Sequence, residues 1–205
     1  MEMNVQKGAD SFYRLLELLF RELDQDAIKE EVTRLTRSRP DASPAELARV
    51  LTKKAALSAA AVGAGAGAAG GPLGLLAMAP DIFNLVRTQS RLILSIAFLY
   101  GQKPHLQERF REVLATLAVS TGASASRQGV RFLMRRTLEE KAARKIVQKI
   151  AGRFLARKLP AMVPLVGGAA GATLNYLAVK ATAKAAIAYY SSLQDREQGT
   201  GNREQ

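Results

Sequence analysis

The chain has no cysteine and no tryptophan, and its one histidine is His105. The missing thiols exclude a disulfide framework and cysteine chemistry. A single imidazole argues against a His-based metal site, so no metal and no cofactor is expected. Tyrosine and phenylalanine together make 6% of 205 residues, which leaves little surface for stacking nucleic-acid bases. Strand signals are also missing: there are no alternating β-branched runs and no Asn-Gly or Asp-Gly turns. The N-terminal MEMNVQKGADSFYRLL lacks a basic region followed by an apolar run, so a cytoplasmic location is expected, free or on the inner face of a membrane. A mean hydropathy of -0.03 is low for a polytopic membrane protein.

What is present is helical pattern and positive charge. Residues 1–54 carry ten basic and ten acidic side chains; residues 101–158 carry fourteen basic and four acidic, a local excess of +10 out of a net +12. Such a field points to an anionic partner. A helix is expected from Asp10, with Phe12, Leu15, Leu16, Leu19 and Leu23 on one side, and a second over 25–37 on Ile28, Val32 and Leu35. Ser43-Pro44-Ala45-Glu46 is a capping box with proline at the first helical position, and nothing interrupts that helix before Gly70-Gly71-Pro72. Pro80 is read as opening another helix that Gly101 stops. Further helices are expected over 106–121, 124–159 and 166–193. The organisation is an N-terminal helical appendage (1–42), a helical domain (43–193) and a disordered tail (194–205). The fold class is all-α, a bundle of about six to eight helices.

The segment from Gly63 to Gly74, GAGAGAAGGPLG, contains Gly65-x-Gly67-x-x-Gly70, the spacing of a dinucleotide loop. A Rossmann loop needs a preceding strand and a Walker loop needs a following Gly-Lys; neither is there. Gly63, Gly67 and Gly71 recur every four residues, which puts them on one helix face. Each glycine inside a helix costs about 1 kcal/mol against alanine, so close packing must offset the penalty. Gly167 and Gly171 repeat the spacing, with Asn175 four residues on. The two small-residue faces are expected to cross, a glycine-rich helical hairpin against a glycine-faced C-terminal helix. Ala55–Ala79 carries no charge over 25 residues. It is long enough to span a bilayer but poor in the large apolar residues that drive insertion. It is read as a buried hairpin arm or a shallow re-entrant insertion.

In PDIFNLVRTQSRLILSIAFLY, residues Asp81, Asn84, Arg87, Thr88, Arg91 and Ser95 form a narrow polar row on an apolar helix. Buried charges need partners, so the row is either a network that fixes helix register, with Asn175 as the bridging partner, or a ligand crevice with Asp81 as acid/base and Arg87 and Arg91 as anion clamps. No serine–histidine pair or paired carboxylate supports a named reaction, and no catalytic residue is assigned. On the basic helix, Arg131, Arg135, Lys141, Lys145, Lys149, Arg153 and Arg157 oppose Val130, Met134, Leu138, Ile146, Ile150 and Phe154. A solvated bundle face, an anionic membrane surface and nucleic acid all remain open for it.

Two blocks resemble the EcsC family: PDIFNLVRTQSRLILSIAFLYG, with Pro80-Asp81 and Tyr100-Gly101, and MVPLVGGAAGATLNY, with Val163-Pro164, Gly167, Gly171 and Asn175. The resemblance covers about 45–190. It implies a bacterial helical protein, linked in gene neighbourhood to an ABC exporter system and often associated with membranes. It implies no catalytic set. The expected function is therefore a non-enzymatic, membrane-associated helical module. It would bind anionic lipid or a membrane protein partner, peripheral to or partly inserted in the inner membrane. The alternatives are an enzyme or small-ligand binder using Asp81–Arg91, and a basic nucleic-acid-binding protein, which the scarcity of aromatics disfavours.

Overall fold

The computed structural model describes residues 14, 16–69, 71–102, 110, 112–117 and 167–201, with side chains for all of these except 66–81, 167–168 and 196–201. Every regular element among the described residues is helical: α1 (residues 16–21), α2 (Gln25–Ser38), α3 (Pro44–Ala69), α4 (Gly71–Leu99), α5 (residues 112–117) and α6 (Gly167–Gly201). The helices pack against one another as a bundle.

Local chemistry fixes the helix ends. The Asp24 side chain caps α2 by accepting from the Ala27 N–H at 2.8 Å. At α3 the capping box is closed in both directions. The Ser43 N–H donates to Glu46 Oε2 at 2.8 Å, and the Glu46 N–H donates to Ser43 Oγ at 3.3 Å. Gly101 has φ of 74° and ends α4 in a Schellman turn, with Gly101 N–H to the Phe98 carbonyl and Gln102 N–H to the Ala97 carbonyl, both at 3.0 Å.

Three elements differ from their sequence pattern. Pro80 does not open a helix but lies inside α4, which starts at Gly71. A single proline removes one backbone bond and is held when tertiary packing fixes the flanking turns. Because α3 stops at Ala69, Gly71 belongs to the next helix and does not continue the Gly63/Gly67 face. The last helix runs past Leu193 to Gly201. Gln194–Gln198 contains no breaker, and glutamine, arginine and glutamate propagate a helix well.

One hydrophobic core joins all six helices. It takes Leu16, Leu19, Phe20 and Leu23 from the N-terminal stretch, and Ile28 and Val32 from α2, so the stretch read as an appendage contributes to the same interior. From α3 come Ala48, Leu51, Ala56 and Ala59; from α5, Val113, Leu114 and Leu117; from α6, Val179, Ala183, Ala185, Ala186, Tyr189 and Tyr190. α4 is the central element: residues 92–97 are buried without a gap. Its buried Ser95 hydroxyl bonds the Arg91 carbonyl at 2.9 Å, so no polar group is stranded there; Thr182 and Ser192 on α6 satisfy themselves in the same way. Tyr190 donates to Glu112 Oε2 at 2.8 Å, which ties α6 to α5. Ile82–Leu99 is long and apolar enough to cross a membrane, with mean hydropathy 1.2, yet 56% of it is buried in the bundle.

Candidate functional site

Among the described helices, the α3–α6 interface is the most extensive. Its tightest point is at Gly63 and Gly171. A Cβ built on Gly63 would lie 2.5 Å from the Gly171 carbonyl oxygen, and one on Gly171 would press equally on the Gly63 carbonyl. The backbones touch, as the glycine spacing requires. Asn175 is 1% exposed and donates through Nδ2 to the Ala59 carbonyl at 3.1 Å. The same Nδ2 sits 2.5 Å from where a Gly63 Cβ would be. The pairs Gly63/Gly171 and Ala59/Asn175 make the two helices antiparallel. Asn175 therefore works at this crossing, bonded to α3. Gly67 lies on α3, Gly71 opens α4 and Gly167 opens α6; what they touch lies outside the described side chains.

The polar row of α4 divides into two kinds of residue. Asn84 and Arg87 are exposed to solvent. Thr88, Arg91 and Ser95 line a crevice of about 230 Å³ together with Glu31 of α2 and Lys54 and Ser58 of α3. Glu31 is its centre. It accepts from Lys54 Nζ at 2.6 Å and from Arg91 Nη2 at 2.8 Å. The Lys54 hydrogen bond and then that of Arg91 hold its carboxyl below the usual carboxylate range, against the opposing effect of partial burial. Glu31 is thus an ionised acceptor with two fixed cations, and the triad carries one net positive charge. It clamps α2, α3 and α4. Both cations are well exposed, so each pair contributes at most about 1 kcal/mol. The Asp81 side chain lies outside the described residues.

Sequence reasoning passed over Glu31 and Lys54. Glu31 stands beside Val32 at the edge of the buried stripe of α2, where interhelical ion pairs form, and that position was the available signal. Gln89 was also missed. It is 1% exposed, and its Oε1 is a buried acceptor without a hydrogen bond.

Arg131, Arg135, Lys141, Lys145, Lys149, Arg153 and Arg157 lie outside the described residues. Among the described residues, no group of three or more His, Cys, Asp or Glu side chains could hold a metal ion.

The EcsC protein family model matches residues 17–192, most of the chain and nearly the whole of the bundle. No similarity was found to a curated protein or to a solved structure. The match starts in α1 and ends near the last buried position of α6, so the helices that form the core and the family's extent coincide. On this coverage the chain belongs to the EcsC family.

Proposed function

We propose that the chain is a non-enzymatic, membrane-associated helical module that binds an anionic lipid surface, with the turn of the α3–α4 hairpin as the part that enters the interface. The observation that carries this reading is the hairpin itself. α3 ends at Ala69 and α4 begins at Gly71, and these helices of 26 and 29 residues, each about 40 Å long, pack against each other. That turn falls in the middle of the uncharged run that begins after Lys54 and ends before Asp81. On the arm leading to it, Leu57 and Val62 are 56% and 40% exposed. A charge-free hairpin end suits shallow burial among headgroups, and the exposed Val62 and Leu57, about 12 and 20 Å back along α3, extend apolar surface along the same arm. The +10 block at 101–158 supplies attraction to an anionic leaflet, about 1 kcal/mol for each cation close to it. The same surface would serve a membrane protein partner on the inner face of the cytoplasmic membrane.

Vesicle flotation tests the reading. The protein is expected to float with phosphatidylglycerol-containing vesicles and not with neutral ones, less so at high salt. Leu57→Asp/Val62→Asp should cut the floated fraction while the fold, followed by circular dichroism, persists. Absence of flotation with anionic vesicles at low salt ends the proposal.

A further inference from the structure

A second concavity lies on the other flank of α3, between its first half and the middle of α6, with a volume of about 580 Å³. Its charged lining residues are Arg49 and Lys53 on α3 and Lys180 and Lys184 on α6, and among the described residues no carboxylate lines it. The antiparallel register set by Gly63/Gly171 and Ala59/Asn175, continued along the helices, brings positions 49 and 53 level with 185 and 181. Arg49 and Lys53 therefore face Lys184 and Lys180. Each pair is also spaced i, i+4 on its own helix, so every neighbour relation among the four is like-charged and unfavourable. None of the four has an ion-pair partner among the described residues. Glu46, one turn before Arg49, hydrogen-bonds Ser43 and acts on Arg49 only through a longer-range Coulombic attraction, the least of the influences on its carboxyl. The contrast with Lys54 is direct: one residue away, it has a carboxylate at 2.6 Å.

The rest of the lining is mixed. Ala183, Ile187 and Ala188 give an apolar floor, Thr52 and Ser191 bring hydroxyls, and Lys180 Nζ stands 5.4 Å from the centroid of the Tyr176 ring. We propose that this groove binds a phosphate-bearing ligand with an apolar portion. A phosphate needs several donors and at least two cations to replace its water, and the four facing cations supply both. The apolar floor beside them takes an uncharged part of the ligand. The volume is that of a small-molecule site and too small for a partner helix. Lys53 is roughly 25 Å along α3 from Gly70, so the groove is separate from the hairpin turn and the inference stands apart from the membrane reading.

The experiment is calorimetric titration of the full chain with inorganic phosphate, pyrophosphate and monomeric dihexanoyl phosphatidylglycerol, at about 50 mM salt so that screening is modest. Lys53→Gln/Lys184→Gln should weaken binding about tenfold or more, as expected for two lost charge-assisted contacts. Lys29→Gln/Arg34→Gln on the outer face of α2, with the same loss of charge, should leave it within about twofold. Lys180→Glu is the second variant: it should remove binding and raise the melting temperature, because it places an anion among the cations. Tighter binding of the lipid monomer than of pyrophosphate identifies a lipid headgroup as the source; the reverse identifies a free phosphate ester. The proposal is overturned if the α2 variant loses as much as the groove variant, or if none of the three probes saturates. It is equally overturned if only an acidic peptide binds in a groove-dependent way.

Discussion

The same two helices meet in opposite ways at their two ends. Near the hairpin turn, α3 and α6 touch backbone to backbone at Gly63 and Gly171, with Asn175 Nδ2 reaching the Ala59 carbonyl beside them. Toward the start of α3 they border a groove of about 580 Å³ lined by four cations. Residue size alone accounts for the first end, since any side chain there would occupy the partner's backbone. At the second, four like-charged side chains line a surface open to solvent. A single helix pair is thus in backbone contact at one end and flanked by a cationic groove at the other, and the two ends should answer differently to substitution.

The largest expected effect is at the closed end. Gly63→Ala or Gly171→Ala places a Cβ against a backbone carbonyl of the other helix. Neither backbone can yield as a flexible side chain would. Overpacking of this kind should cost about 3 kcal/mol, a drop of roughly 6–12 °C in Tm for a chain of this size, read by thermal melts. An unchanged Tm would break the comparison at its root.

Next comes the clamp on the opposite side of α3. Glu31→Gln removes the charge that both Lys54 and Arg91 bind and should cost about 1 kcal/mol at neutral pH. The sign with pH follows from the lowered carboxyl. The ionised form is favoured in the folded state, so its contribution is present above the ordinary value of 4.5 and is lost as pH falls through the depressed folded value. Wild type and Glu31→Gln should therefore converge in stability below about pH 4.5, in melts run across an acid series.

Gly65→Ala sharpens the contrast from the same turn of helix. Nothing lies within 4 Å of a Cβ there, so the substitution should stabilise by up to about 1 kcal/mol through helix propensity. Two glycines two residues apart would then differ in sign. The smallest effect is at the open end, where Lys53→Gln relieves one like-charge neighbour on α3 and should stabilise by a few tenths of a kcal/mol, about 0.3, at low salt.

Much of this architecture could be read in the residue order because it is local. Ser43 and Glu46 announce the start of α3, and Gly101 the end of α4, since each cap is chemistry within one turn. The Gly63/Gly171 crossing was legible for a different reason: small residues four apart on a helix have no use except close approach. Pro80 misled, because its usual place at a helix start is a preference that packing overrides. The edge position of Glu31 was legible, but its pairing with Lys54 and Arg91, and the meeting of the four cations of the groove, were not, since they come from separate helices whose facing directions exist only after the bundle forms. The N-terminal stretch gave the matching error. Its balanced charge suggests a separate piece, while Leu16, Leu19, Phe20 and Leu23 already carry the spacing of a buried side.

The position of α4 restricts how this protein can meet a bilayer. Its apolar stretch satisfies the length and composition of a crossing segment, yet residues 92–97 are the axle around which the other helices are mounted. Withdrawing it would take Leu92, Ile93, Leu94, Ile96 and Ala97 out of the core that they share with Ile28, Leu51, Leu114 and Tyr190. The proposed contact with lipid at the hairpin end would leave this stretch in place, so attachment and release would not require the bundle to open.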